Sequence, residues 1–206
     1  MISEIYHKTF SNSEDELTGN FFGTMQYIPF TRGLQTIFCN FVKSNDDKLL
    51  EVFKRIKDEE FDFEFWKKSK FGEIDGFMKV GNVGIGIEVK YFSGLSGDDQ
   101  LERETSMLNE WCNKEEKVLL FIAKEDSARN IYSNNYNKPC FTNVHLGYIS
   151  WEDILLGLDD IQCVNSFEKK MVNDLKKYLF EKGFVSFAGF DDSNLMIDKE
   201  QYYEFR

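Results

Sequence analysis

After Ser13, the apolar residues Leu17, Phe21, Met25 and Ile28 recur at helical spacing, and Ser13 with Glu16 fits a capping box. This pattern predicts an amphipathic helix over residues 13–28. Beyond Pro29, two shorter amphipathic stretches over 34–42 and 46–56 read as helices, with Ser44 and Asn45 as the break between them. From Phe61 the period changes to two. Phe61, Phe63 and Phe65 alternate with Asp62 and Glu64, and GEIDGFMKV and VGIGIEVK then flank Gly81 and Asn82. Three consecutive strands follow. Farther on, the pattern predicts a polar-faced helix over 98–112, a buried strand over 117–123, and a strand over 144–150 that leads into a helix over 151–158. A long helix over 166–182 closes at Gly183, a residue suited to the position just past a helix end. Tyr132, Tyr136 and the SNNYN segment read as a surface loop, or as an aromatic loop able to stack on an unpaired base. The expected fold is an α/β (α+β) domain with a mixed central β-sheet flanked by helices, occupying 1–206 as one unit.

The Gly81-Asn82 turn fixes a register. A two-residue hairpin with Gly first suits a type II′ turn and makes Val80 the partner of Val83. Asp75 is then expected opposite Glu88, Glu73 opposite Lys90, and Phe77 opposite Gly86, all on one face. Ile74, Gly76 and Met78 fall on the other face against Ile85, Ile87 and Val89. One face is core and the other carries three acids and a lysine.

Two carboxylates opposite each other on adjacent strands repel, and a divalent cation removes the conflict. Oxygen-only ligands of this kind suit Mg²⁺ or Mn²⁺, and Lys90, two residues beyond Glu88, points to the same side, where its ammonium orients a water for attack on a phosphodiester. A plainer reading stands beside this one: Glu73 and Lys90 as a solvated cross-strand ion pair. The apolar strand VGIGIEVK, the opposed Asp75, and the placement of Gln100 and Glu104 on one helical face of GDDQLERE favour the metal site.

An acid on the first helix, then GEIDGF, IEVK and DQLERE in that order, resembles the PD-(D/E)XK nuclease superfamily of restriction-endonuclease-like fold. The resemblance spans the elements from about residue 13 to 150. It implies an αβββαβ core with extra N- and C-terminal helices. It also implies Asp75, Glu88 and the Val89 carbonyl as metal ligands for Mg (or Mn), and Lys90 as the group that positions the attacking water and stabilises phosphorane-like charge. Gln100 matches the family's helix glutamine. The first-helix glutamate falls among Glu14, Asp15 and Glu16. Glu14 continues the Leu17–Phe21–Met25 stripe and is preferred, whereas Glu16 suits the capping box and Glu14 also suits the helix dipole. The family's proline before the aspartate is replaced by Ile74.

Composition narrows the setting. The chain has 206 residues, 42% of them hydrophobic, with 21 Phe and only 2 Pro, which excludes a disordered or repeat protein. No stretch approaches the roughly 20 apolar residues of a membrane span, and the N-terminal residues lack an apolar signal core. A cytoplasmic, membrane-free protein is expected. Cys39, Cys112, Cys140 and Cys163 show no metal-ligand spacing and read as reduced, mostly buried thiols, while His7 and His145 read as structural or solvent-facing. Phe180, Phe184, Phe187 and Phe190 read first as core and second as an assembly surface.

The net charge of −11 is awkward for a nucleic-acid enzyme. Residues 61–92, however, hold five acids and five lysines and are neutral, so the excess lies mostly outside the proposed site. Lys67, Lys68 and Lys70, expected in the loop entering the Asp75 strand, and Arg103 are the candidate phosphate contacts. The expectation is therefore a metal-dependent nuclease acting most plausibly on DNA, with a setting such as bacterial or phage defence implied by the resemblance. A homo-oligomer or a protein partner would supply DNA binding. The alternative is a non-catalytic, nuclease-like interaction subunit of a larger defence assembly.

Overall fold

The computed structural model describes residues 13–91, 95, 97 and 99–185; His7, Phe187 and Phe190 lie outside them. In chain order the elements are α1 (Ser13–Met25), α2 (Leu34–Phe41), α3 (Asp47–Arg55), β1 (Asp62–Ser69), β2 (Gly72–Val80), β3 (Val83–Val89), α4 (Gln100–Trp111), β4 (Glu116–Ala123), α5 (Glu125–Asn135), a 3₁₀ turn (Pro139–Asn143), β5 (His145–Ser150), α6 (Trp151–Gly157) and α7 (Ser166–Glu181). The strands form one mixed sheet in the order β1-β2-β3-β4-β5. The first three are antiparallel neighbours, and β3, β4 and β5 run parallel. This is the expected mixed α/β architecture, with one element added.

The added element is α5, where the sequence suggested a surface loop. Parallel β4 and β5 require a crossover of a dozen or so residues, which a helix normally supplies. Its inward face is Ala128, Tyr132 and Asn135. Tyr132 is buried rather than displayed, and its hydroxyl accepts a hydrogen bond from the Asn45 N–H at 2.6 Å. The break between α2 and α3 is thereby tied to the crossover.

One face of the sheet packs Met78, Val80, Ile85, Ile87, Val118, Leu120 and Ile122 against α1, α2, α3, α6 and α7. The opposite face packs Phe77, Leu119, Phe121 and Leu146 beneath α4 and α5. α4 approaches β3 closely because two residues of that strand lack a side chain. A Cβ on Gly86 would stand 2.9 Å from Ile74 Cδ1 and 3.1 Å from Leu108 Cδ2, and one on Gly84 would collide with Cys112 Sγ. Glycine at these positions seats α4, and α4 carries Gln100 and Glu104.

The hairpin register agrees with expectation from Val80↔Val83 through Gly76↔Ile87. Gly81 takes φ 54°, the first-position conformation of a type II′ turn. Beyond Gly76 the structure departs. Ile74 lies on the α4 face with Phe77, not with Met78 and Ile85, so the inward–outward alternation reverses at Asp75. The same reversal occurs directly across on β1. Phe65 packs on the α1 face, whereas Lys67 lies over the Phe77 and Trp111 rings on the α4 face. Between them Trp66 adopts φ 49°, an uncommon and costly conformation for a bulky residue, on the order of 1–3 kcal/mol. The β1–β2 pairing skips Trp66 and Asp75 and resumes at Lys67↔Ile74. Glu73 is consequently turned away from Lys90 and pairs with Lys68 at 3.5 Å, so the expected Glu73–Lys90 pair is not formed.

Smaller expectations divide. Gly183, with φ 86°, follows the C-cap Lys182 of α7 as expected. α1 begins at Ser13, and Glu16 reaches Lys182 Nζ at 2.8 Å; the expected capping box at Ser13 lies outside the described side chains. All four cysteines are free, but only Cys112 is buried. His145 pairs through Nδ1 with Asp46, the N-cap of α3, a structural use. Phe184 is fully buried, while Phe180 is 64% exposed on α7. No described helix is long and apolar enough to cross a membrane.

The glycine seat yields a stability test. Gly86→Val places three extra carbons between Ile74 and Leu108, and overpacking of this kind costs about 1–3 kcal/mol. The expected outcome is a lower urea midpoint at an unchanged m-value; an unchanged midpoint would mean that α4 is not seated through Gly86.

Candidate functional site

The site forms where β2 leaves β3. Regular pairing ends at Gly76↔Ile87, and the side chain of Asp75 takes over: its Oδ2 accepts the Val89 N–H at 2.8 Å. Asp75 is thus anchored to the backbone of β3 in place of a main-chain partner. The irregular Trp66–Asp75 step turns it there. Glu88, one residue before Val89, sits on the α4 face and is only 2% exposed.

Lys90 follows the end of β3, which its own N–H extends by donating to the Ile122 carbonyl at 2.7 Å. Its Nζ lies 2.5 Å from Glu88 Oε1 and 3.8 Å from Glu14 Oε2. Glu14 arrives from the first turn of α1, and its Oε1 accepts the Tyr91 N–H at 3.0 Å. Gln100, the first residue of α4, donates from Nε2 to Glu88 Oε1. All five expected side chains therefore meet at one end of β3, brought by β2, β3, α1 and α4. Val89 takes part through its N–H. Of the three adjacent acids on α1, Glu14 faces Lys90, while Glu16 turns to α7.

Glu104 stands one helical turn beyond Gln100 and is absent from the expected site set. Its helical phase relative to Gln100 was the available signal. It is 1% exposed and lies beside Glu88 and Gln100, and among the described residues neither of its carboxyl oxygens makes a hydrogen bond of regular geometry.

Electrostatics follow from this crowding. Burial, then the nearby Glu88 carboxylate, push the Asp75 carboxyl well above the usual range, against the opposing pull of the Val89 N–H and Lys90. Burial and Glu88 push Glu104 up in the same way. Burial disfavours the Lys90 ammonium, but Glu88, Asp75 and Glu14 more than offset it, and its pKa is raised. Lys90 is held as a cation. Among the described residues, Lys90 faces Glu88, Asp75 and Glu14 while Glu104 stands against Glu88, so acid exceeds base in a nearly dry space.

The chemistry of the donor set, carboxylate oxygens without soft ligands, fits a hard divalent ion such as Mg²⁺ or Mn²⁺, and the unpartnered oxygens of Glu104 are an observation of the same sign. The side chains are not preassembled for it: among the described residues no group of three His, Cys, Asp or Glu is poised around one ion. Glu88 Oε1 is instead taken by Lys90 and Gln100.

The tip of the β1–β2 hairpin lies at the same end of the sheet. Lys67 and Lys68 belong to β1 rather than to the loop, and Lys70 stands in the turn. Each has an acidic neighbour already: Lys67 with Glu64, Lys68 with Glu73, Lys70 with Glu110, and Arg103 with Asp99. Exposed pairs of this kind contribute about 0–1 kcal/mol and yield readily to a phosphate. No protein-family model, curated protein or solved structure matches the chain.

The carboxylate crowding has a direct thermodynamic signature. Asp75 ionises in the ordinary range when unfolded and higher when folded, so stability falls as pH rises between the two values and stays reduced above them. Asp75→Asn keeps an oxygen for the Val89 N–H and removes the charge. In EDTA at pH 8 it is expected to melt above wild type by about 2–4 °C, on the order of 1 kcal/mol, with the gap closing toward pH 4. A variant that melts lower at pH 8 would contradict the crowding.

Proposed function

We propose that this protein is a metal-dependent nuclease that hydrolyses phosphodiester bonds, with DNA as the favoured substrate. The observation that carries the reading is the buried Lys90 ammonium held 2.5 Å from Glu88, beside Asp75, at the C-terminal end of a buried strand. An ion pair serving stability alone needs one acid per lysine; here Asp75, Glu14 and Glu104 are gathered around the same pair. The order of these residues along the chain is that of the PD-(D/E)XK superfamily. The order of elements, helix, three-stranded meander, crossover helix and parallel strand, supports the same likeness.

In this reading Asp75, Glu88 and the Val89 carbonyl hold Mg²⁺ or Mn²⁺. The ion supplies Lewis-acid activation of the phosphodiester and of the attacking water. Lys90 fixes the water that attacks phosphorus and offsets the negative charge that grows on the phosphoryl oxygens. Gln100 orients the Glu88 carboxylate, and Glu14 orients Lys90 from the opposite side, with its own position set by the Tyr91 N–H. Asp75 is oriented by Val89, so each reactive side chain has a partner that sets its direction.

With a net charge of −11 and its nearby lysines engaged in ion pairs, the chain binds nucleic acid weakly on its own in this account. A second copy or a protein partner delivers the substrate. The same charge favours a second reading, a non-catalytic subunit that presents an acidic surface to a basic partner.

The two readings separate by assay. Wild type is expected to cut supercoiled plasmid with Mn²⁺ or Mg²⁺ and not with EDTA, and Lys90→Ala is expected to lower the rate at least about 100-fold. Metal-dependent cutting that survives in Lys90→Ala would exclude the assigned site, and no cutting of plasmid, single-stranded DNA or RNA would favour the subunit.

A further inference from the structure

Among the described residues, Glu104 is the buried acid near the site that neither the expected ligand set nor the proposed mechanism uses. At 1% exposure it is more deeply enclosed than Lys90 or Gln100, at 8% and 7%. Buried carboxylates in proteins are paired or hydrogen-bonded because an unpaired one loses its hydration without replacement. Among the described residues Glu104 makes no hydrogen bond of regular geometry at either oxygen, and what lies against it is the Glu88 carboxylate and the Gln100 amide rather than a cation. Its neighbour on the helix face, Gln100, directs its amide to Glu88.

A glutamate with only a packing role is better replaced by leucine or methionine, because the carboxyl adds cost and gains no contact. A cation adjacent to Glu88 would supply the missing partner for both acids. Asp75 comes from β2, Glu88 from β3 and Glu104 from α4, so the three carboxylates approach from separate elements. Gly84 and Gly86 hold α4 close enough to make that approach.

We infer that Glu104 is a third carboxylate of the divalent-cation site, facing the ion from α4. The inference rests on the reading of Asp75 and Glu88 as metal ligands and adds a residue to it. It assigns to Glu104 an effect on metal affinity that its neighbour Glu102 does not have. Glu102 is exposed on the same helix and pairs with Lys138 at 3.1 Å, so Glu102→Gln removes the same charge outside the site.

The test is Mn²⁺ binding to the metal-stripped full chain, followed by electron paramagnetic resonance of the free ion, with melting temperature in EDTA measured alongside. Glu104→Gln is expected to weaken Mn²⁺ binding on the order of tenfold or more while melting at or above the wild-type temperature, because a buried unpaired acid is gone. Glu102→Gln is expected to bind Mn²⁺ within about twofold of wild type. If Glu104→Gln binds as wild type does while Asp75→Asn loses binding, the role of Glu104 is overturned and the site stands. If Glu104→Gln loses affinity and melting temperature together, the residue is structural and the inference falls. If wild type binds no Mn²⁺ at millimolar concentration, both the inference and the metal-site reading fail.

Discussion

The site is governed by an excess of acid over base in a space with little water. Among the described residues Lys90 is the cation that faces Glu88, Asp75 and Glu14, with Glu104 against Glu88, and its ammonium lies closest to Glu88. In such surroundings like charges repel far more strongly than on the surface. Asp75 and Glu104 therefore carry raised pKa values, and the arrangement costs stability unless a further positive charge enters. Hydrophobic packing elsewhere tolerates that cost. Both sheet faces are covered, and residues such as Trp151, Phe21 and Phe121 are completely or almost completely buried.

The fold contributes to the site through departures from regularity. β2 would pair with β3 along its whole length if alternation continued. Instead the reversal at Trp66 and Asp75 ends the β2–β3 register at Gly76↔Ile87 and turns the Asp75 carboxylate to the Val89 N–H. Glycines at 84 and 86 remove the side chains that would hold α4 away. Both devices weaken ordinary sheet stability, one by strain and one by lost packing, and both bring carboxylates toward Lys90. Both costs fall on the strands that carry Asp75 and Glu88 or on their direct neighbour β1, where strain of this kind is consistent with the proposed site.

Much of this was legible in the sequence. The Gly81-Asn82 turn set the register through Gly76↔Ile87, and the resemblance selected Glu14, Asp75, Glu88, Lys90 and Gln100, which the fold brings together. The helical phase of Glu14 with Leu17 and Phe21 separated it from Glu16. Three features were not legible. Period-two alternation assumes regular backbone, so the left-handed Trp66 was invisible and Ile74 and Glu73 were assigned to the wrong sides. α5 has a short apolar face interrupted by Ser and Asn, and only the parallel pairing of β4 with β5 demands a helix there. The helical phase of Glu104 with Gln100 is visible in the sequence, but its burial is not, because that depends on how closely α4 lies on β3.

The reading of the molecule as a nuclease depends on whether a divalent ion resolves the carboxylate conflict at this strand end. The most direct measurement is a crystal soaked in Mn²⁺, with anomalous diffraction recorded at the manganese edge. The account predicts a single strong peak within about 2.0–2.5 Å of carboxylate oxygens from Asp75 and Glu88, with Lys90 displaced from its contact with Glu88. A map with no peak there, and with Lys90 still paired to Glu88, would contradict it.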